Sequence, residues 1–393
     1  MILFTILFAL INLVVIYYLV QPAVLRILAK NKKVKSRPVT GADRDFAIML
    51  PVYKDPALIP FLVDSLLKQS YQNFHVYVIA DECPLNGPRI KHEKVSWLIP
   101  SAPLRSKIKS IELGIESMER NHDVLLIFDN DNVVDPKFLE NMNDSFKRGY
   151  KVVQGLVKAK NQENNIARMD EAGFQFYHAI DRKYRKALGL SAHINGLGIG
   201  IDMQLYRDIT YRSHVGGFDK KLQAEMVILE QIDFREDAIV YDEKVSDEKQ
   251  LQSQRTRWTF TYFHYFGNSL KVMKKGLMAL DIDRIVFGMN LLRLPLFLLV
   301  SLAGLLTLGN LLLGNYLMAL TTIAAVFTFA WSFVTIIREN ANNPELVKSL
   351  RSLPVFIKNQ FIGLLNIRKA QKSFMVTQHT AQSKIEDVLQ KAA

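Results

Sequence analysis

Three short polar clusters in this chain could do chemistry, because each directly follows an apolar run that reads as a β-strand. They are Pro51-Val52-Tyr53-Lys54-Asp55, then Asp81-Glu82 after the run ending at Ala80, then Asp129-Asn130-Asp131-Asn132 after the run Val124 to Phe128. Any one of them fits a solvated loop. Together they put carboxylates at three strand ends, where an Asp-x-Asp can offer hard oxygen ligands to Mg²⁺ or Mn²⁺ and leave coordination places for phosphate oxygens. A cation held there would neutralise a diphosphate leaving group. Farther on, Gln254-Arg255-Thr256-Arg257-Trp258 precedes Phe260, Tyr262, Phe263, Tyr265 and Phe266. A guanidinium suits phosphate oxygens and an indole suits the apolar face of a sugar ring. Standing alone, this segment reads first as a basic, aromatic helix at a membrane interface.

Other chemistries find less support. The eight histidines are scattered, with no HExxH and no Cys/His pairing at ligand spacing, so a zinc site is not indicated. The single Cys83 excludes an intrachain disulfide and fits a reducing, cytoplasmic setting. Gly196-Leu197-Gly198-Ile199-Gly200 lacks the GxGxxG order of a dinucleotide loop and reads as a tight turn into a strand.

Positioning these clusters requires a sheet. Phe46 to Leu50, Phe74 to Ala80, Val124 to Phe128, Lys151 to Gly155 and Ala238 to Tyr241 read as strands, and 57–68 and 104–118 carry apolar residues at helical spacing. The pattern predicts an α/β domain with a mixed, mostly parallel sheet, in which ligands sit beyond the carboxyl ends of the strands.

The chain of 393 residues carries 50 Lys+Arg against 38 Asp+Glu, a net charge of +12, yet its mean hydropathy is +0.07, so apolar residues must be gathered in blocks. Residues 2–20 form one such block, close to the ~20 residues a helix needs to cross ~30 Å of hydrocarbon. A signal peptide would need a basic region before it and a small-x-small cleavage site after it, and neither is present. Arg26, Lys30, Lys32, Lys33, Lys35 and Arg37 follow without an acid, which predicts a cytoplasmic flank and an outside N-terminus. Blocks at 294–313 and 316–337 predict a helical hairpin, and the bases between Lys348 and Lys372 place the C-terminus back in the cytoplasm. A shorter apolar stretch at 355–365 reads as an interfacial amphipathic helix. The expected organisation is an anchor (1–22), a cytoplasmic domain (38–283), a hairpin (284–340) and a basic tail (341–393). Because many bases cluster beside apolar blocks, anionic membrane lipid is a simpler partner for the positive charge than nucleic acid.

Pro51-Val52-Tyr53, Asp81, Asp129-x-Asp131 and Gln254-x-x-Arg257-Trp258, in this order between membrane segments, resemble the membrane-bound inverting family 2 glycosyltransferases of GT-A fold, relatives of cellulose synthase, hyaluronan synthase and ceramide glucosyltransferase. The resemblance spans about 45–270. It implies a nucleotide-sugar donor, expected to be a UDP-sugar, bound by Pro51, Tyr53, Asp55, Asp81, Lys107 and Asp129, with Asp81 at the base or ribose. It also implies Mg²⁺ or Mn²⁺ on Asp131 beside Asp129, and Gln254, Arg257 and Trp258 at the diphosphate and acceptor. Such glycine-rich turns as 196–200 adjoin the acceptor pocket in the family.

Two departures stand out. Lys54-Asp55 replaces the family's usual Asn-Glu. No Thr-Glu-Asp triplet exists to supply the general base; counting from Gly216-Gly217-Phe218 puts Ala224-Glu225-Met226 there, with Met226 at the base position. Glu225 is the preferred substitute and Asp219, directly after the turn, the other candidate. The expectation is transfer of a sugar to a lipid-linked or glycan acceptor by a multi-pass enzyme of the cell's inner membrane, with room for a partner subunit. The rival expectation is a catalytically silent, glycosyltransferase-like subunit of an envelope-polysaccharide complex.

Overall fold

The computed structural model describes residues 2–32, 34, 37–84, 86–209, 217–341, 343–367 and 381–392; Lys33, Lys35, Gly216 and the bases at 368–372 lie outside them. After α1 (Ile2–Ala29) come β1 (Phe46–Tyr53), α2 (Ile59–Leu67), β2 (Phe74–Asp81), β3 (Val95–Leu98), α3 (Lys107–Glu116), β4 (Val124–Ile127), β5 (Val133–Val134), α4 (Phe138–Lys147) and β6 (Val152–Ala159). The chain continues through α5 (Asn165–His178), a π-helical turn (Ala179–Lys183), α6 (Tyr184–Ala187), β7 (Ile199–Asp202), α7 (Met203–Arg207), α8 (Phe218–Leu229) and β8 (Ile232–Asp242). A helical part follows: α9 (Glu248–His264), α10 (Phe266–Ala279), α11 (Ile282–Leu292), α12 (Leu296–Leu312), α13 (Tyr316–Asn340), α14 (Glu345–Lys348), α15 (Leu353–Leu365) and α16 (Ile385–Ala392).

Among the described residues the strands form one sheet in the order β3-β2-β1-β4-β7-β6-β8-β5. Pairs β3–β2, β2–β1, β1–β4 and β6–β8 are parallel, while β7 runs against both its neighbours and β5 against β8. β1 shows why the apolar runs are continuous: Phe46, Ile48 and Leu50 enter one apolar layer, Ala47 and Met49 the other, and all five are fully buried. A strand covered by helices on both faces needs apolar residues at every position. The five predicted strands are all present. β3, β5 and β7 were not expected, being two to four residues long or, in β7, carrying a glycine that interrupts the pattern.

Among the described residues two helices are long and apolar enough to cross a membrane, Leu3–Ala29 and Tyr316–Asn340, and a third span exists if α11 and α12 count as one. α12 alone has 17 residues, roughly 25 Å of helix and short of a full crossing. It is joined to α11 through an 80° bend at Arg293–Pro295. Pro295 explains the bend, since a proline has no N–H to donate and drives the preceding residue out of helical geometry. The predicted hairpin of α12 and α13 is present, but its first arm is half of a broken helix. α1 lies along both: Asn310 donates to Asn12 at 2.8 Å, and Arg26 at the end of α1 pairs with Glu339 at the end of α13. The 355–365 stretch is helical as expected; Phe356, Asn359 and Gly363 face α9 and are buried, while Ile357, Phe361 and Leu365 are exposed.

Candidate active site

Parallel pairing brings the first clusters together. Tyr53 at the end of β1 is in register with Asp81 at the end of β2, and β4 flanks β1 on the other side, so Pro51, Tyr53, Asp81 and Asp129 emerge at one sheet end. Three non-glycine residues with left-handed backbone lie here: Lys54 (φ 65°), Glu82 (φ 52°) and Arg105 (φ 50°). Each such conformation costs about 1 kcal/mol or more and tends to concentrate where a loop must be shaped for a ligand. Arg105 clamps Glu82 through two bonds of 2.9 and 3.0 Å, and this pairing holds the Glu82 carboxyl down to about 2.

Asp81 is buried, and its two oxygens accept the backbone N–H groups of Leu104 (2.9 Å) and Arg105 (2.6 Å). It therefore fixes the turn that leads into α3 and Lys107. Asp55 is exposed and accepts from the Ala57 N–H at 2.9 Å, shaping the loop after β1. Cys83 lies nearby, its thiol pushed up to about 11 by burial, so it is no thiolate nucleophile.

Lys107 binds Asp129 and also donates to the Gly196 carbonyl at 3.0 Å. Gly196 has φ +75°, and a Cβ there would lie 3.1 Å from the Cβ of Asp219. Asp219, in the first turn of α8, thus sits against the same loop as Lys107. Arg257 joins the group electrostatically: burial lowers its pKa, and the carboxylates of Asp129 and Asp219 oppose that shift. Lys107, Asp129, Gly196, Asp219 and Arg257 form one cluster around the sheet end. Glu225 is not placed in it. The Glu225 carboxylate pairs with Lys271 of α10 at 2.8 and 3.0 Å, and Met226, at the expected base position, is a fully buried core residue of α8.

Gln254, Arg257 and Trp258 share one face of α9, as i, i+3, i+4 spacing requires. The buried Gln254 Oε1 has no hydrogen-bond partner among the described residues. Trp258 is 38% exposed, and the Arg255 guanidinium lies 4.2 Å from its ring while pairing with Asp170 of α5.

Apart from Asn132, sequence reasoning missed the residues that hold the site from behind. Gln154 in β6 accepts from Asn195 N (2.8 Å) and donates to Leu197 O (3.0 Å), pinning the glycine loop. Asn132 accepts from Asp129 N at 2.9 Å; Lys160 donates to the Asp131 carbonyl at 2.7 Å, and the Glu243 N–H donates to the Asp131 carboxylate at 3.1 Å. A polar residue inside an apolar strand, as Gln154 is, was the one available signal.

Among the described residues no group of three or more His, Cys, Asp and Glu could hold a metal. Asp129 and Asp131 instead offer two hard carboxylates at one strand end. That set fits Mg²⁺ or Mn²⁺ completed by diphosphate oxygens and water, and does not fit a closed all-protein site.

The fold recurs in a known protein. The described fold is similar to the mannosyltransferase PcManGT from Pyrobaculum calidifontis, solved in complex with GDP-Man and Mn²⁺, at a TM-score of 0.56 and 12% identity over 92% of this chain and 99% of that one. A crystal structure of S. aureus TarS, residues 1–349, matches at a TM-score of 0.40 and 13% identity over 86% of this chain and 93% of that one. No curated protein matches the sequence. The family model described as glycosyltransferase like family 2 matches residues 43–261, more than half of the chain. The sheet order, the Asp-x-Asp at its carboxyl end and that match together make this chain a member of glycosyltransferase family 2.

Proposed function

We propose that the protein transfers a sugar from a nucleoside-diphosphate donor to an acceptor hydroxyl held at a membrane, with inversion at the anomeric carbon and Asp219 as the general base. The observation that carries this reading is the placement of Asp219 against Gly196, within the electrostatic reach of Arg257 and beside the Lys107–Asp129 pair. The acceptor oxygen attacks the anomeric carbon as the bond from that carbon to the diphosphate oxygen breaks. Its proton passes to Asp219, and the negative charge of the leaving diphosphate develops near Arg257 and Lys107. Mg²⁺ or Mn²⁺ on Asp129 and Asp131, when bound, supplies Lewis-acid neutralisation of that leaving group. The long apolar helices and the bases at their ends support a membrane location with the sheet domain on the cytoplasmic side.

The donor class is tested by nucleotide release from UDP-sugars and GDP-mannose, with protein in lipid nanodiscs and Mn²⁺ present or chelated. Asp131→Asn is expected to abolish metal-dependent release and Asp219→Asn to lower turnover about 10²-fold or more with donor affinity kept. Glu225→Gln retaining most activity completes the pattern, and the reverse order of effects assigns the base to Glu225. The burial of Met226 at the family's base position favours one other reading, a donor-binding but silent subunit. Donor binding without release, whatever acceptor lipid is supplied, is its signature.

A further inference from the structure

Glu243 is a point where the Asp129–Asp131 loop and the carboxyl-terminal tail meet. Its backbone N–H donates to Asp131 Oδ2 at 3.1 Å, and its own carboxylate accepts the Ala381 N–H at 2.9 Å. Lys160 bridges the same two acids: its ammonium donates to the Asp131 carbonyl at 2.7 Å and lies 3.8 Å from Glu243 Oε2. Asp131, Lys160 and Glu243 are all buried, so these contacts meet little competition from water. A shift of Glu243 therefore disturbs both the donor on the Asp131 carboxylate and the cation on its carbonyl.

The strands that carry these residues give them little support of their own. Asp131 and Asn132 lead into β5, Asp242 closes β8, and the two strands share the pairs Val133–Tyr241 and Val134–Val240 at the edge of the sheet. A ladder of two residues is well short of the ~5–6 of an ordinary strand. α16 covers it. Ile385, Val388 and Leu389 recur at i, i+3, i+4 and form the apolar face of this helix. Ile385 and Val388 are buried against Val133 and Tyr241, with Phe61 and Ile239 beside them. Lys68 of α2 also pairs with Glu386 at 2.6 Å, but both are exposed and such pairs contribute little, so the apolar contact carries the docking.

We propose that Glu243 is a positioning residue for Asp131 and that α16 is the strap that keeps it in place, so that docking of this helix sets the affinity of the site for a divalent cation. The inference rests on the reading of Asp129 and Asp131 as the metal site. A ligating carboxylate binds more tightly when it is already held by its neighbours, and loss of such a supporting contact typically costs about 10- to 100-fold in metal affinity. The apolar contacts of α16 fall on β5 and β8 themselves, which makes it a brace for the loop that β5 anchors.

The test uses the full chain in nanodiscs, with Mn²⁺ binding read from loss of the free-ion electron paramagnetic resonance signal and tail docking read by hydrogen exchange. Val388→Asp should release α16, speed exchange at 385–392 and weaken Mn²⁺ binding about tenfold, while the amides of β1 stay protected and show the sheet intact. Should that variant also open β1, Val388→Ala supplies a milder release and is read in the same way. Glu243→Ala should weaken Mn²⁺ binding to a similar degree, and Glu243→Gln, which keeps an acceptor for the Ala381 N–H, should weaken it less. Val388→Asp combined with Glu243→Ala should bind no worse than the weaker of the two single variants, because both act through one contact. Additive losses overturn the role of Glu243, and an unchanged or tighter Mn²⁺ affinity with α16 released overturns the strap. If neither the wild type nor Asp131→Asn binds Mn²⁺, the metal reading falls and exchange alone decides. Faster exchange at 129–134 and 241–244 on release of α16 then keeps the brace, and unchanged exchange there ends it.

Discussion

Asp219 and Glu225 lie six residues apart on α8, roughly 9 Å along the helix and 240° around it, so they cannot serve the same face. Counting along the sequence from a glycine turn measures distance along a helix and ignores its face, so it does not by itself choose between the two. Asp81 poses a related question, because a carboxylate that fixes a turn and one that contacts a nucleotide look alike in sequence. Asp81→Asn turns one acceptor into a donor facing the N–H of Leu104 or Arg105, at a cost of about 1–3 kcal/mol. Thermal unfolding should shift to lower temperature and donor affinity should fall with it. An unchanged melting temperature with lost affinity would instead assign Asp81 to direct nucleotide contact. That Asp129, Lys107 and Arg257 lie near one another was expected from the family resemblance, which placed all three at the donor and diphosphate. Gln154 and Lys160 were not expected, since what they bind lies far away in the chain.

At the scale of elements, the strands buried on both faces were easy to read and the connections were not. β7 and β5 form only because partners far along the chain supply their hydrogen bonds, and the break between α11 and α12 is written in Pro295 alone. The start of α8 decides where Asp219 points. Gly217 caps it with φ +78°, and a Cβ there would lie 2.4 Å from Thr261 Cγ2 and 2.7 Å from Thr261 Cβ on α9. Gly217→Ala therefore meets both backbone strain and a clash with a stiff β-branched side chain. It should cut transfer about tenfold or more by displacing Asp219, with nucleotide binding kept, and destabilise the fold by ~1–2 kcal/mol. Adding Thr261→Ala removes the clash and leaves the strain, so the double variant should recover part of the lost rate. A double variant no better than the single one would mean that α8 is not positioned through α9.

As a whole, the molecule is a sheet domain joined to an apolar helical bundle, with the tail folded back: Ile385 and Val388 of α16 pack on Val133 and Tyr241, and the Ala381 N–H reaches Glu243 beside Asp131. That return was hidden in the sequence, where the tail reads as basic with one interfacial helix at 355–365. The seam between the two parts holds His193 against Phe287 of α11, and His178 lies buried in α5. Burial pushes both histidines well below their ordinary value, so both are neutral in the folded protein at neutral pH. On unfolding each regains a pKa of about 6.5. The unfolded chain then binds more protons than the folded one below that pH, so stability is complete above about pH 6.5 and is lost as the pH falls, by up to about 1.4 kcal/mol per pH unit for each histidine. Melting measured in nanodiscs from pH 7.5 to 5.0 should show this fall, and His193→Phe, which keeps a ring on Phe287, should make it shallower. If the wild-type curve is flat, or the variant falls as steeply, His193 is not a neutral ring at the seam.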